Sequence, residues 1–322
     1  MCKPKYVLCA TTALALGSLA AWAIIDKLVT LGIERKPENL MEKLPELSGS
    51  AEELYSVFFS DEFKERKKKT DEWLKKNSTE LYMDAFDKTW LFSRFVKNEG
   101  SNKYVIACHG YGISGMFMST YAEKFYDLGF NLLIPDARGH GSSGGLYVGM
   151  GWPERHDIKG WINRILRMNP NAEIVLFGVS MGATTVLNTA GESLPKAVKA
   201  VIADSGFSSI SEQIAFIMKT YMKLPPFPVL PLSAVTIQKK AGYNIYTANT
   251  VNQVKKSSLP LLLIHGDKDK IVPCHMLFKL FKSAKSDKKD FLIVEGAGHL
   301  ESEILEHEIY WNKITSFLKK YL

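Results

Sequence analysis

The sequence predicts an α/β fold, in which a mostly parallel sheet carries helices on both faces. From about residue 100 onward, short runs of apolar, strand-forming residues alternate with stretches whose apolar residues recur at helical spacing. One such run, at 173–176, leads into Gly-x-Ser-x-Gly at 178–182 and then into a helix-forming stretch. With 322 residues, of which 46% are hydrophobic, the chain is long enough to bury a full core around this sheet.

The N-terminus is apolar. The stretch 6–25 contains no charged residue and no proline, and an Asp-Lys pair ends it at 26–27. As a helix, these roughly 20 residues would extend about 30 Å, enough to cross a bilayer. We expect residues 1–27 to be a membrane anchor that leaves the rest of the chain outside the cytoplasm. The alternatives are a signal segment cleaved near the Ala-Trp-Ala at 21–23, which would release a secreted chain, and a buried helix of a soluble protein.

Residues 28–78 separate this segment from the predicted sheet. The stretch 35–50 is polar and contains two prolines, as linkers do, and the residues after it are charged and helix-forming with an apolar stripe. The pattern then changes to partial alternation at 80–87 and 89–96, which predicts an antiparallel hairpin. We therefore assign residues 28–78 to a linker and a helical lead-in, and residues 79–322 to the sheet domain.

The remaining elements follow in order along the domain. Strands are predicted at 104–107, 131–135, 173–176, 197–203, 259–264 and 291–294. Helices are predicted at 117–128, 152–168, 183–192 and 303–322. The stretch 207–246 interrupts the alternation, and we interpret it as an insertion.

Charge and cysteine content argue against several classes of protein. The net charge is +7, from 41 basic and 34 acidic side chains, and much of the excess lies at 64–69. We interpret that run as a solvated helix face, because no aromatic residues are interleaved with it, and we expect no nucleic-acid partner. The four cysteines have the spacing of neither a zinc site nor a disulfide framework. We expect no metal and no cofactor, and the sequence leaves the oligomeric state open.

Several reactive residues follow predicted strands, at the sheet edge where such folds collect their ligands. Ser180 lies in a sharp turn that its flanking glycines allow. Asp267 and Asp269 follow one strand, and His299 follows the last strand. A serine hydroxyl needs a base such as imidazole to act as a nucleophile, and a carboxylate orients that imidazole. These residues together predict nucleophilic catalysis, with either aspartate as the acid.

Five motifs follow one another along the chain, namely His109-Gly110-Tyr111-Gly112, Asp136–Gly141, Gly178–Gly182, His265–Asp269 with Val272-Pro273, and Gly298-His299. With these motifs in this order, the chain from about residue 80 onward resembles the α/β-hydrolases, in particular the serine esterase, lipase and aminopeptidase-like group. Within that group it is most similar to the membrane-anchored bacterial cell-surface hydrolases.

The resemblance implies a role for each residue of the site. Ser180 would be the nucleophile, His299 the base and Asp269 the acid. Asp269 is preferred because the family keeps its acid just ahead of the Val-Pro pair, and Asp267 is the alternative. The backbone N–H groups of Tyr111 and Met181 would form the oxyanion hole.

Other classes of protein fit the sequence less well. A dinucleotide-binding fold would need another glycine within 178–182. A metal site built from His265, Asp267 and Asp269 would leave the order of serine, acid and histidine unexplained. A non-catalytic binding protein on the same fold would need a reason to have lost its activity. A peptidase or an acyltransferase shares the covalent intermediate, and both alternatives stay open.

The insertion at 207–246 occupies the position of this family's lid, or cap. Its apolar residues recur at helical spacing, which predicts a helix over Ser180 that ends by Leu224, ahead of a proline-rich stretch. A second helix is predicted at 233–241, with Gly242 as its C-terminal cap. Such an apolar cap favours an apolar acyl or aryl ester over a charged peptide. We therefore expect a serine hydrolase of the carboxylesterase or lipase-like type.

Overall fold

The computed structural model describes residues 22–35, 58 and 60–322 of the chain. Eight strands form its sheet: β1 (Thr79–Asp84), β2 (Trp90–Val96), β3 (Lys103–Cys108), β4 (Asn131–Pro135), β5 (Glu173–Val179), β6 (Val198–Asp204), β7 (Leu261–Gly266) and β8 (Lys289–Val294). Their spatial order is β1-β2-β4-β3-β5-β6-β7-β8. β2 pairs antiparallel with both β1 and β4, and the remaining pairs are parallel. The predicted mostly parallel sheet with an antiparallel hairpin is confirmed.

Helices fill the connections between the strands. Residues 22–33 are helical and are labelled α1. The others are α2 (Asp61–Asn77), α3 (Ser119–Asp127), α4 (Glu154–Met168), α5 (Met181–Ala190), α6 (Ile210–Thr220), α7 (Pro226–Ala241), α8 (Thr250–Val254), α9 (His275–Ser283), α10 (Ser302–Leu305) and α11 (His307–Tyr321), with a short 3-10 turn at Gly115–Met118.

Apolar side chains on both faces of the sheet attach it to the helices. Along β5, Ile174 and Leu176 belong to one buried cluster, and Val175 and Phe177 belong to another, because successive side chains of a strand point to opposite faces. The first cluster includes residues of α4, α5, α8 and α9, whereas the second includes residues of α2, α3 and α11. The sheet is therefore covered on both faces, as predicted.

The insertion forms a cap of two helices, α6 and α7. A third buried cluster joins this cap to the loops after β6 and β7, and it includes Phe207, Ile210, Ile237 and Val272. α6 ends at Thr220, ahead of the proline-rich stretch, as predicted. Gly242 caps α7 with a φ of 77°, a left-handed conformation that glycine adopts without strain.

The second cap helix begins earlier than predicted. α7 starts at Pro226 rather than at residue 233, although its backbone departs from helical geometry at Phe227. A proline cannot continue a preceding helix, but its fixed φ suits the first turn of a new one. Residues 221–225 thus connect the two helices, and the prolines that follow lie in the first turns of α7.

α1 packs against the cap. The Asp26 carboxylate accepts hydrogen bonds from Lys240 at 2.9 Å and from Thr236 at 3.1 Å. The carbonyl oxygen of Ile33 accepts a hydrogen bond from the N–H of Val148 at 2.6 Å. The Arg35 guanidinium donates to two main-chain carbonyls of the loop after β4. The predicted boundary between residues 27 and 28 thus falls within α1, and residues 28–35 of the predicted linker contact the sheet domain.

The described residues include only part of the predicted N-terminal anchor and linker. The predicted anchor at 6–25 lies mostly outside the described residues and stays a prediction. Among the helices that the structure describes, none is long and apolar enough to span a bilayer. The lead-in helix is described as α2, and Ser60 caps its N-terminus by accepting a hydrogen bond from the N–H of Phe63. In the basic run at 64–69, Lys64 and Lys68 are exposed, whereas Arg66 and Lys67 are half-buried and form ion pairs with carboxylates.

Candidate active site

Ser180 occupies the turn between β5 and α5. Its φ of 54° lies in the left-handed region, which is strained for a residue other than glycine. The flanking glycines are sterically necessary, because a Cβ on Gly178 would lie 2.3 Å from the carbonyl oxygen of Gly182. A Cβ on Gly182 would lie 2.1 Å from the carbonyl oxygen of Cys108. The turn holds Ser180 at the carboxyl edge of the sheet, as the Gly-x-Ser-x-Gly pattern predicted.

His299 connects Ser180 to Asp269. Its Nε2 lies 2.9 Å from Oγ of Ser180, and its Nδ1 lies 2.7 Å from Oδ2 of Asp269. Both His299 and Asp269 are buried. When Nδ1 carries the proton and its N–H donates a hydrogen bond to the carboxylate, Nε2 is free to accept the serine proton. The structure thus brings together three residues that lie far apart in the chain, in the arrangement of a nucleophile, a base and an orienting acid.

Asp269 is held from both sides. Its Oδ1 accepts hydrogen bonds from the N–H groups of Ile271 and Val272, each at 2.8 Å, and its Oδ2 lies 3.1 Å from Nε2 of His265. Burial by itself raises the pKa of Asp269, but the charge of His299 and the hydrogen bonds from both histidines outweigh burial. They hold the pKa of this carboxyl well below its usual range. Asp269 is therefore ionised at neutral pH.

Asp267 makes different contacts. Its Oδ1 accepts a hydrogen bond from the N–H of Gly296 at 2.6 Å, and its Oδ2 lies 3.0 Å from Nζ of Lys268. The geometry accordingly favours Asp269 over Asp267 as the partner of His299. Within the described residues, no group of three or more His, Cys, Asp or Glu side chains is arranged to hold a metal ion.

The predicted oxyanion donors lie in the loop after β3 and at the residue that follows Ser180. The loop after β3 passes so close that a Cβ on Gly110 would lie 3.3 Å from Cβ of Ser180. Tyr111 in this loop and Met181 both line the cavity that Ser180 faces. Met181 is the first residue of α5, and first-turn N–H groups have no acceptor within their own helix. The positions are suitable for donors, and the role of the two N–H groups stays a prediction.

His109, Asp136 and Arg138 connect the loops around Ser180 through hydrogen bonds and ion pairs. His109 Nε2 accepts a hydrogen bond from the N–H of Ala137 at 2.9 Å, and its Nδ1 lies 2.7 Å from the carbonyl oxygen of Gly110. Asp136 accepts hydrogen bonds from two backbone N–H groups. Arg138 forms a two-pronged ion pair with a carboxylate on α4 and a second pair with the hairpin. These side chains support the loops around Ser180.

A cavity of about 400 Å³ lies above Ser180. α1 contributes Ile25, Leu28, Val29, Gly32 and Ile33 to its wall. The cap contributes Gln213, Ile214, Ile217, Met218, Met222, Leu224, Val229, Ser233 and Ile237. None of the described lining residues carries a charge, and the volume lies within the range typical of sites for small organic ligands. The predicted position of a cap helix over Ser180 is confirmed.

Comparisons with known proteins agree with this architecture. The family model "Serine aminopeptidase, S33" matches residues 100–245. The Pyrococcus furiosus esterase Pf2001 superposes with a TM-score of 0.63 at 26% identity, covering 76% of this chain and 92% of the esterase. The chain is an α/β-hydrolase.

Two relatives are similar in sequence to this hydrolase over most of its length. The uncharacterized Bacillus subtilis protein YqkD is 28% identical over 269 residues, which are 78% of the hydrolase and 88% of YqkD. Human monoglyceride lipase is 24% identical over 246 residues, which are 66% of the hydrolase and 81% of the lipase.

Sequence reasoning missed one part of the site. α1 supplies a wall of the cavity, and the carbonyl oxygen of its Gly32 accepts a hydrogen bond from the Tyr111 hydroxyl at 2.6 Å. The apolar residues of α1 adjoin the long apolar run at 6–25, so their pattern was assigned to the anchor and the linker. A usable signal was the continuation of apolar residues past the Asp-Lys pair at 26–27, at the helical spacing of Leu28, Val29, Gly32 and Ile33.

Proposed function

We propose that this α/β-hydrolase cleaves carboxylic esters through Ser180, His299 and Asp269. The observation that supports the proposal most directly is the row of hydrogen bonds from Ser180 Oγ through His299 to Asp269, at 2.9 and 2.7 Å. This arrangement makes a serine hydroxyl nucleophilic at neutral pH, because the imidazole takes its proton during the attack. The ionised carboxylate then stabilises the imidazolium that forms.

The chemistry proceeds in two halves. Ser180 Oγ attacks the ester carbonyl carbon, and His299 Nε2 takes the serine proton and returns it to the departing alcohol oxygen. The acyl group is then bound to Ser180 as an ester. A water molecule, deprotonated by His299, attacks the acyl carbon and releases the carboxylic acid with regeneration of Ser180. In both halves the N–H groups of Tyr111 and Met181 would stabilise the negative carbonyl oxygen.

The cavity favours an ester with an apolar acyl or aryl group. Its described wall is formed mostly by aliphatic and methionine side chains, and it contains no charged residue. Burying each CH₂ group of an acyl chain in such a wall contributes about 0.8 kcal/mol. The likeness to an esterase and to a monoglyceride lipase supports the same substrate class. We therefore propose a carboxylesterase or lipase-like enzyme.

An aminopeptidase is the second candidate, because the matching family model bears that description. An aminopeptidase must bind the ammonium group of its substrate, and a buried ammonium needs a carboxylate or several oxygen acceptors. None of the described cavity residues is an aspartate or a glutamate. An acyltransferase would share the acyl-enzyme and differ only in the acceptor that replaces water.

We further propose that the enzyme is attached to the membrane through its N-terminal segment, with Ser180 outside the cytoplasm. This location rests on the uncharged run at 6–25. Cleavage of the run would instead release a secreted enzyme.

One labelling experiment tests both the chemistry and the location. A membrane-permeant and an impermeant fluorophosphonate probe are applied to cells that produce the wild-type chain or the Ser180→Ala variant. We expect both probes to label the wild type and neither to label Ser180→Ala, which should also lose hydrolysis of p-nitrophenyl esters. Because the substitution removes only one oxygen, the variant should unfold at the wild-type temperature.

The outcomes separate the two proposals. If Ser180→Ala hydrolyses esters at the wild-type rate, the assignment of the nucleophile is wrong. If the permeant probe alone labels the wild type, the chemistry holds and the external location is wrong. A panel of acyl esters beside aminoacyl amides decides between the two enzyme classes, and a higher kcat/KM on the amides would favour the aminopeptidase.

A further inference from the structure

The cavity opens between α1 and the cap. Leu28 of α1 and Met222, which follows α6, both line the cavity, and both side chains are substantially exposed. A residue that is exposed and also lines a cavity lies at its mouth. The mouth is thus bounded by one apolar residue from each of the two elements that cover Ser180.

Two large exposed apolar side chains lie close in sequence to residues that line the cavity. Phe227 is 80% exposed and lies between Leu224 and Val229, two residues that line the cavity. Ile24 is 61% exposed and precedes Ile25, which also lines the cavity. Neither Phe227 nor Ile24 belongs to the cavity wall. Large exposed apolar groups next to a cavity wall favour a surface that contacts another apolar phase.

Beyond Glu212, in the first turn of α6, the cap carries only positive charges, because no aspartate or glutamate occurs between Glu212 and Asp267. Lys219 and Lys223, which flank the mouth residue Met222, are both exposed, and so is Lys27 of α1. Apolar side chains surrounded by lysines suit the surface of an anionic bilayer, because the lysines attract the headgroups while the apolar groups enter the acyl region.

The proposed N-terminal membrane anchor continues into α1, which lines the cavity. The uncharged run at 6–25 ends within α1, next to Ile24. Residues 1–21 lie outside the described part of the chain. A membrane-embedded segment of roughly 20 residues that ends at the mouth would hold the mouth at the bilayer surface. The length of the uncharged run, the lysines and the exposed apolar side chains therefore all indicate that a bilayer covers this face.

We propose that the rim formed by Ile24, Lys27, Lys219, Lys223 and Phe227 docks on an anionic phospholipid bilayer. The apolar ester then enters the cavity directly from the bilayer, without passing through water. This inference rests on the proposed esterase function, since it specifies where that substrate is taken up. It differs from simple tethering, because a tether alone fixes the distance to the bilayer and leaves the orientation of the mouth free.

The test compares an ester dissolved in water with an ester embedded in vesicles. The full-length chain is reconstituted into phosphatidylcholine vesicles with or without phosphatidylglycerol. Hydrolysis of p-nitrophenyl acetate is measured beside that of a fluorogenic long-chain ester in the bilayer. We expect Phe227→Ser and Ile24→Ser to lower hydrolysis of the embedded ester about tenfold, because each loses apolar contact with the bilayer. Hydrolysis of the water-soluble ester should stay at the wild-type rate.

Matched control variants test whether the effects depend on the charge and on the position of the substituted side chain. The double variant Lys219→Glu, Lys223→Glu should lose activity on the embedded ester only in vesicles that contain phosphatidylglycerol. Lys75→Glu, Lys76→Glu on α2 makes the same change of charge elsewhere and should behave as wild type. Phe278→Ser and Ile309→Ser change side chains that are 48% and 51% exposed outside the rim, and they should also leave both activities unchanged.

A measurement independent of turnover completes the test. A tryptophan introduced by Phe227→Trp should be quenched by brominated phospholipids, whereas one introduced by Phe278→Trp should add no quenching above the native background. Wild-type activity of the rim variants on the embedded ester, or equal quenching at both positions, would overturn the proposal. So would a lipid-independent dimer that protects residue 227. If the wild type hydrolyses neither ester, the esterase function fails, and the quenching result still decides the docking.

Discussion

The floor and the roof of the cavity are built by different physical means. On the floor, Ser180, His299 and Asp269 are joined by hydrogen bonds of 2.7 to 2.9 Å. The roof, formed by α1 and the cap, presents almost only apolar side chains to the cavity. Hydrogen bonds fix atoms in distance and angle, whereas apolar contacts depend mainly on area and volume. The floor is therefore suited to proton transfer, and the roof to selecting substrates by size and polarity.

This contrast predicts that equally small changes have very different consequences in the two regions. A changed atom on the floor should reduce the rate for every substrate. A changed volume in the roof should alter the preference among substrates and leave the rate on the smallest ester nearly unchanged. Variants in each region can therefore test whether the floor determines the rate and the roof determines the preference among substrates.

The largest effect should come from the floor. Asp269→Asn should lower kcat on any ester by about 10⁴, because an amide no longer fixes the tautomer of His299 or stabilises its charged form. The measurement is steady-state hydrolysis of p-nitrophenyl butyrate, with circular dichroism to show that the variant is folded.

Asp267→Asn is the matched control, since it makes the same change two residues away. Its carboxylate contacts Gly296 and Lys268 instead of His299, so kcat should change by no more than about threefold. The opposite ranking of the two variants would transfer the acid role to Asp267.

A smaller effect is expected in the roof. Val29→Phe enlarges a cavity-lining side chain of α1 and should take the space of roughly two CH₂ groups of a bound acyl chain. Kcat/KM for an octanoyl ester should then fall about tenfold relative to the acetyl ester, which should keep its wild-type value. A series of p-nitrophenyl esters of increasing chain length measures this shift.

Val235→Phe makes the same substitution on α7, where Val235 is exposed and does not line the cavity. It should leave the chain-length profile unchanged. An unchanged profile for Val29→Phe as well would show that α1 does not bound the acyl site, and the roof would then consist of the cap alone.

The floor could be predicted from the sequence because its residues lie in short local motifs. Ser180 is marked by its two glycines, and His299 by its place after the last strand. The choice between Asp267 and Asp269 depended on the resemblance to a family. The structure supplies the physical reason, since the backbone N–H groups that follow Asp269 hold its carboxylate toward the histidine.

The roof was less predictable because its contacts join distant parts of the chain. The ion pair of Asp26 with Lys240 has no local signature in either segment. α1 also overlaps the end of the apolar run at 6–25, so hydropathy alone could not separate a segment that packs on the cap from one that enters a membrane. In the cap, the prolines indicated a helix end, whereas the start of α7 at Pro226 depends on tertiary packing.

The proposed reaction requires that Ser180 carries the acyl group during turnover. The full-length chain is mixed with p-nitrophenyl octanoate, quenched in acid within the first turnovers and digested, and the mass of the peptide that contains Ser180 is measured by mass spectrometry. This peptide should gain the mass of one octanoyl group, and the same peptide of Ser180→Ala should gain none. An octanoyl group found on another residue, or turnover without any acylated peptide, would show that Ser180 is not the nucleophile.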